Sequence, residues 1–136
     1  MRLAPASLWV ALIAACVPGS ASAHPPAPTD SDAIPIDFLL DSAAADFRAH
    51  PPKALAFRKV YFGQFDGEGQ TQYEICGEFQ VEKAGGKTEW LHFVTIKTSG
   101  YEQYIGAQAI SFCTREGMSW DEDDWSAELT KRYRKK

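Results

Sequence analysis

The sequence predicts an α+β domain: a four-stranded antiparallel meander sheet flanked by an N-terminal and a C-terminal helix, with one disulfide. Three observations lead there. Residues 57 to 98 hold three β-like segments separated by Gly-containing turns, and links that short allow only antiparallel neighbours. Apolar residues recur at helical spacing on either side of that stretch. Cys76 and Cys113 remain as a pair once the N-terminal segment, with Cys16, is set aside.

Residues 1–23 read as an export signal. Arg2 supplies a minimal charged region, residues 8–17 an apolar stretch, and Ala21-Ser22-Ala23 an A-x-A cleavage site after Pro18-Gly19. A second reading stays open, because Ile13-Ala14-Ala15-Cys16 resembles a lipobox in which Cys16 is acylated and becomes the first mature residue. The apolar run falls short of the ~20 residues that span a bilayer. Both readings place the domain outside the cytoplasm, periplasmic or secreted in the first case and lipid-anchored to the envelope in the second. Residues 24–35 carry Pro25, Pro26, Pro28 and Pro35 among small polar residues and are expected to form a disordered spacer. A single α+β domain then covers residues 36–136.

Within it, Leu40, Ala43, Ala44 and Phe47 set an i, i+3, i+4, i+7 pattern, so residues 37–50 are expected to be a helix stopped by Pro51-Pro52. Residues 57–64 are rich in aromatic and β-branched side chains and form the first expected strand. The turn Asp66-Gly67-Glu68-Gly69 leads into residues 72–81, where Tyr73, Ile75, Gly77, Phe79 and Val81 alternate with Gln72, Glu74, Cys76, Glu78 and Gln80. After Ala84-Gly85-Gly86-Lys87, residues 89–98 put Trp90, Val94 and Ile96 on one side and Leu91, Phe93 and Thr95 on the other, a strand interior to the sheet with both faces covered. Residues 99–106 read as an aromatic connecting loop, and residues 108–114 as the fourth strand. A capping-box pattern, Ser119 with Glu122, followed by the stripe Trp125, Leu129 and Tyr133, predicts the C-terminal helix.

For an exported chain the pair Cys76 and Cys113 is expected to be a disulfide, worth on the order of 3–4 kcal/mol through the loop it closes. The formal net charge of −4 argues against nucleic acid as a partner despite the basic run from Lys131 to Lys136. Membrane contact is expected only through lipid at Cys16. No metal or cofactor is expected. His24 with His50 or His92 lacks ligands held at fixed distances, and residues 66–74 miss the EF-hand order. Glu74 and Glu78, four residues apart on a strand, stand ~13 Å apart, beyond the ~5–9.5 Å of a glycosidase carboxylate pair. Tyr101, Tyr104 and Ile105 are the candidate binding residues, since aromatic side chains on loops favour recognition.

The strings Phe57-Arg58-Lys59-Val60 and Ile75-Cys76-Gly77-Glu78-Phe79 resemble a recurring kind of small exported or lipoprotein-like protein of Gram-negative bacteria, with an Arg-containing strand and a hydrophobic-Cys-Gly-Glu strand. Gln80 stands where such patterns often carry Asn. The resemblance implies a periplasmic compartment and transfers no catalytic residues. The sequence thus leads to the expectation of a non-enzymatic periplasmic or envelope-associated protein-binding module of inhibitor, immunity or accessory type, with a protein partner in that compartment. The alternative is a small periplasmic hydrolase or metal-binding protein using His92 and nearby carboxylates.

Overall fold

The computed structural model describes residues 35–136; the expected signal, the lipobox Cys16, His24 and nearly all of the expected spacer lie outside them. The described chain is α+β, with three α-helices on one antiparallel five-stranded sheet and a Cys76–Cys113 disulfide. Helix α1 spans Pro35–Ala49 and opens on Pro35, a residue already set for the first helical position. Strands β1 (Ala56–Gly67), β2 (Gln70–Glu82), β3 (Thr88–Lys97) and β4 (Tyr101–Ile105) follow as a meander. Helix α2 is Ala107–Cys113, β5 is Met118–Trp120 and α3 is Ser126–Arg134, and the sheet order is β4-β3-β2-β1-β5. Among the described residues no helix is long and apolar enough to cross a membrane.

The β1–β2 hairpin closes through Glu68 (φ 52°) and Gly69 (φ 75°) between the paired residues Gly67 and Gln70. Positive φ at both turn residues matches the right-handed twist of the strands. Strand β2 then divides its side chains between the two faces as its alternation requires. On the first face Ile75, Phe79 and Val81 join Phe57, Val60 and Phe93, and α1 covers them with Ile36, Leu39, Leu40, Ala43, Ala44 and Phe47. Phe47 lies against Phe57, Phe79 and Phe93 with ring centroids 5.1, 4.8 and 5.2 Å away. Gly77 belongs to the same packing, for a Cβ there would meet Phe93 and Val60 at 2.8 Å. Helix α3, with Trp125 just before it, completes the face through buried Leu129 and partly buried Trp125 and Tyr133, the stripe expected for docking. Arg132 of α3 clasps Asp37 and Asp41 of α1, at 2.6 and 3.0 Å.

Three expectations need correction. Residues 101–105 are not a loop but the edge strand β4, which is the sheet's fourth strand. Residues 107–113 are a helix instead of a strand; Ala109 is buried on Val94 and Ile96, and Cys113 is bonded to β2, so docking outweighs the Ile110/Phe112 alternation. The capping box does not form either. Met118, Ser119 and Trp120 pair with Phe65, Gln64 and Gly63 as β5, and α3 begins only at Ser126, whose N–H donates to Asp124 Oδ1 at 2.9 Å. The sheet therefore has five strands where the sequence suggested four.

Candidate functional site

The second face of the sheet is covered on one half only. There α2 lays Ala109, Phe112 and Cys113 on Val94, Ile96, Tyr104 and Cys76. The remaining half is a concavity of about 450 Å³, lined by Lys59, Tyr61, Glu78, His92, Trp120 and Asp121 with the disulfide at its wall. Described titratable side chains converge on it from three strands.

A β-bulge builds this arrangement. The β1–β2 register shifts between Arg58 and Tyr61: Arg58 pairs with Glu78 and Tyr61 with Cys76, so Lys59 and Val60 together face Gly77. Lys59 takes φ 52°, unusual for a residue with a Cβ, and Val60 turns into the core. Arg58, Lys59 and Tyr61 thus share a face that regular alternation would give to only two of them. The backbone of Val60 is satisfied by the C-terminal segment: its N–H donates to Ser126 Oγ at 3.2 Å and its carbonyl accepts from Trp125 N–H at 2.7 Å.

Glu78 is the electrostatic centre. Its Oε2 accepts from Arg58 Nε at 2.8 Å and lies 3.7 Å from Lys59 Nζ, and its Oε1 lies 3.8 Å from His92 Nε2. The Arg58 hydrogen bond outweighs burial and holds the carboxyl below its ordinary range, with Lys59 and His92 adding to it. Arg58 is steadied in turn, its guanidinium lying 4.1 Å over the Trp90 ring. Lys59, by contrast, keeps its side chain 67% exposed. Trp120 is 40% exposed and its ring lies over Gly63, where a Cβ would meet it at 2.7 Å. Chemically, this is an ionised carboxylate clasped by Arg58 and Lys59 beside aromatic walls, with the Lys59 ammonium still largely open to solvent.

The residues expected to bind are distributed differently. Tyr101 and Ile105 sit on the first-face side of β4, with Tyr101 Oη donating to Asp46 Oδ1 of α1 at 3.0 Å and Ile105 42% exposed. Tyr104 points to the second face and stacks on Phe112 at 5.2 Å. The three do not form one patch. His50 follows α1 on the first face, beside Asp46, so it cannot join His92. Asp66, Glu68 and Gln70 lie around the β1–β2 turn, where Thr71 Oγ1 donates to Asp66.

Sequence reasoning missed Lys59, Trp120 and Arg115. Nothing in Arg58-Lys59-Val60 signals a left-handed residue, and Trp120 lies inside the Ser119–Glu122 pattern, which points to a helix cap and not to a strand. Arg115 lies between the rings of Phe65 and Phe112, 4.0 and 5.7 Å away, and its Nη2 donates to Gln72 and to Glu74. That last contact joins positions 41 apart in sequence and has no local signature. No protein-family model, curated protein or solved structure matches the chain.

Proposed function

We propose that the protein is a non-enzymatic, envelope-associated recognition module, exported to the periplasm, that holds a partner protein in the half-open concavity of its second sheet face. The observation that carries this reading is Lys59, a non-glycine residue kept at φ 52° by a bulge whose backbone groups are tied down elsewhere, with a largely exposed side chain whose ammonium lies 3.7 Å from Glu78 in the concavity that Trp120 also lines. Strained backbone of this kind persists where the surrounding structure over-determines it, and it clusters at working sites. An exposed aromatic next to an accessible cation suits an acidic side chain set beside apolar surface on the partner. Glu78 favours binding over acid catalysis, because its Arg58 contact keeps it ionised.

The test is affinity purification of the tagged chain from its native periplasm and envelope, with wild type, Lys59→Glu, Trp120→Ala and Tyr101→Ala compared. A stoichiometric protein should be retained by wild type and Tyr101→Ala and lost from the first two variants. Loss from Tyr101→Ala alone would move recognition to the β4 edge, and no stoichiometric protein from any of them would remove the reading. Partition into the membrane fraction, abolished by Cys16→Ala, would assign the anchored form. A second reading, a small periplasmic hydrolase or metal-binding protein, draws on His92 Nε2 at 3.8 Å from Glu78 in the same concavity, a separation wider than a hydrogen bond. Stoichiometric metal in the purified chain, lost in His92→Ala, would favour it.

A further inference from the structure

Glu74 is fully buried on the second face, covered by Arg115 of the segment that follows α2. Its Oε2 accepts from Arg115 Nη2 at 2.8 Å. Its Oε1 faces Cys76 Sγ at 3.7 Å, and no N–H or O–H among the described residues donates to it. A disulfide sulfur carries no proton, so this contact is not a hydrogen bond. The oxidised protein therefore leaves one carboxylate oxygen buried, unserved and aimed at a sulfur. Buried polar atoms are seldom left in that state.

The same three residues form a compact donor set. One ligand atom each from Glu74, Cys76 and Cys113 falls within 4.8 Å of the others. Two sulfurs and one carboxylate oxygen are ligands that zinc-like ions accept once the sulfurs are thiolates. Arg115 fixes the carboxylate from behind, as outer partners of metal ligands do, and leaves Oε1 turned to the sulfurs. Cys76 and Cys113 also line the concavity, which gives an ion a way in.

We propose that reduction of the Cys76–Cys113 bond opens a thiophilic divalent-cation site made of Cys76 Sγ, Cys113 Sγ and Glu74 Oε1, with its fourth position toward the concavity. An external dithiol supplies two electrons and two protons to the S–S bond and is itself oxidised to a disulfide. The cation then binds both sulfurs and displaces their two protons to solvent. Staple and metal site are mutually exclusive states of one pair of cysteines.

Zinc alone is the probe. The full chain, either oxidised or reduced with excess dithiol that is then removed without air, is titrated with Zn²⁺ against a chromogenic chelator, and with Co²⁺ followed by absorption. The reduced chain should bind one zinc on the order of 100-fold more tightly than the oxidised chain or the Cys76→Ser/Cys113→Ser variant, and its cobalt form should show thiolate-to-metal charge transfer. Glu74→Gln should weaken the reduced site by roughly tenfold or more; if that variant does not fold, Glu74→Asp, which withdraws the carboxylate by one methylene, must show the same loss. Zinc affinity of the reduced chain equal to that of the double serine variant overturns the proposal. So does affinity indifferent to Glu74, or a reduced chain that stays unfolded by near-ultraviolet circular dichroism with zinc present.

Discussion

Strand β2 sends Ile75, Phe79 and Val81 to one face and Glu74, Cys76 and Glu78 to the other, and the two faces are held by different forces. The first is closed by two helices over a cluster of phenylalanines, and its cohesion is burial of apolar area. The second is closed by a seven-residue helix, which could not stand alone, and relies on a covalent bond and the Glu74–Arg115 pair to keep it down. Burial is indifferent to pH and redox state near neutrality; the ties on the second face are not. One sheet thus carries a constant side and a conditional one, and the concavity opens on the conditional side.

Substitutions on each face should separate the two. The largest loss is expected from Phe93→Ala, which empties the centre of the aromatic cluster at a cost of about 3–5 kcal/mol in denaturant unfolding, unchanged by reductant. Removing the staple with Cys76→Ser/Cys113→Ser should cost ~3–4 kcal/mol, with no further loss when reductant is added, whereas the wild type should lose a similar amount on reduction. Phe93→Ala keeps the disulfide and should lose its contribution on reduction as wild type does; a Phe93→Ala chain as indifferent to reductant as the double serine variant would erase the distinction.

Arg115→Gln should cost about 3 kcal/mol at neutral pH, since it strands the Glu74 carboxylate in the interior. Burial already raises the pKa of Glu74, against the pull of Arg115, so a folded chain takes up its proton more readily than an unfolded one. The stability tied to this group is therefore fully present below the ordinary carboxylate pKa and is lost as the pH rises through the raised one. The Arg115→Gln deficit should accordingly shrink as pH is lowered. Glu78 has the opposite sign. Its pKa is lowered by Arg58, so the advantage of wild type over Glu78→Gln, under about 1 kcal/mol for a pair this close to solvent, is present at neutral pH and lost as the pH falls through that lowered value. Two carboxylates four positions apart on one strand should thus give stability profiles of opposite slope, measurable by thermal unfolding between acid and neutral pH.

Elements whose periodicity and packing agree were legible in the sequence. Leu40 to Phe47, the alternation through β2, and Trp125, Leu129 and Tyr133 each repeat often enough to name both an element and its buried side. The disulfide followed from export logic and cysteine number, although Cys113 reaches Cys76 from a helix and not from a neighbouring strand. Short elements failed for a common reason. Residues 101–105 and 107–113 are too brief for a period to declare itself, and their state is decided by what they lie on, β3 in both cases. The candidate site was less legible still. His92 and Glu78 were visible as residue types, but Lys59 enters through a bulge, and the Glu74–Arg115 pair exists only after the segment that follows α2 has been brought against β2.

The hydrogen bonds that tie Val60 to Trp125 and Ser126 also set an order of events for a growing chain. The outer edge of β1 must wait some 66 residues for the groups that complete it, while β2 and β3 can pair along the other edge as soon as they emerge. Until then the carbonyls of Val60 and Phe62 face solvent on an aromatic strand, the kind of edge to which other chains add. Strand β5 and helix α3 thus act as the built-in guard of an edge that would otherwise recruit a neighbour.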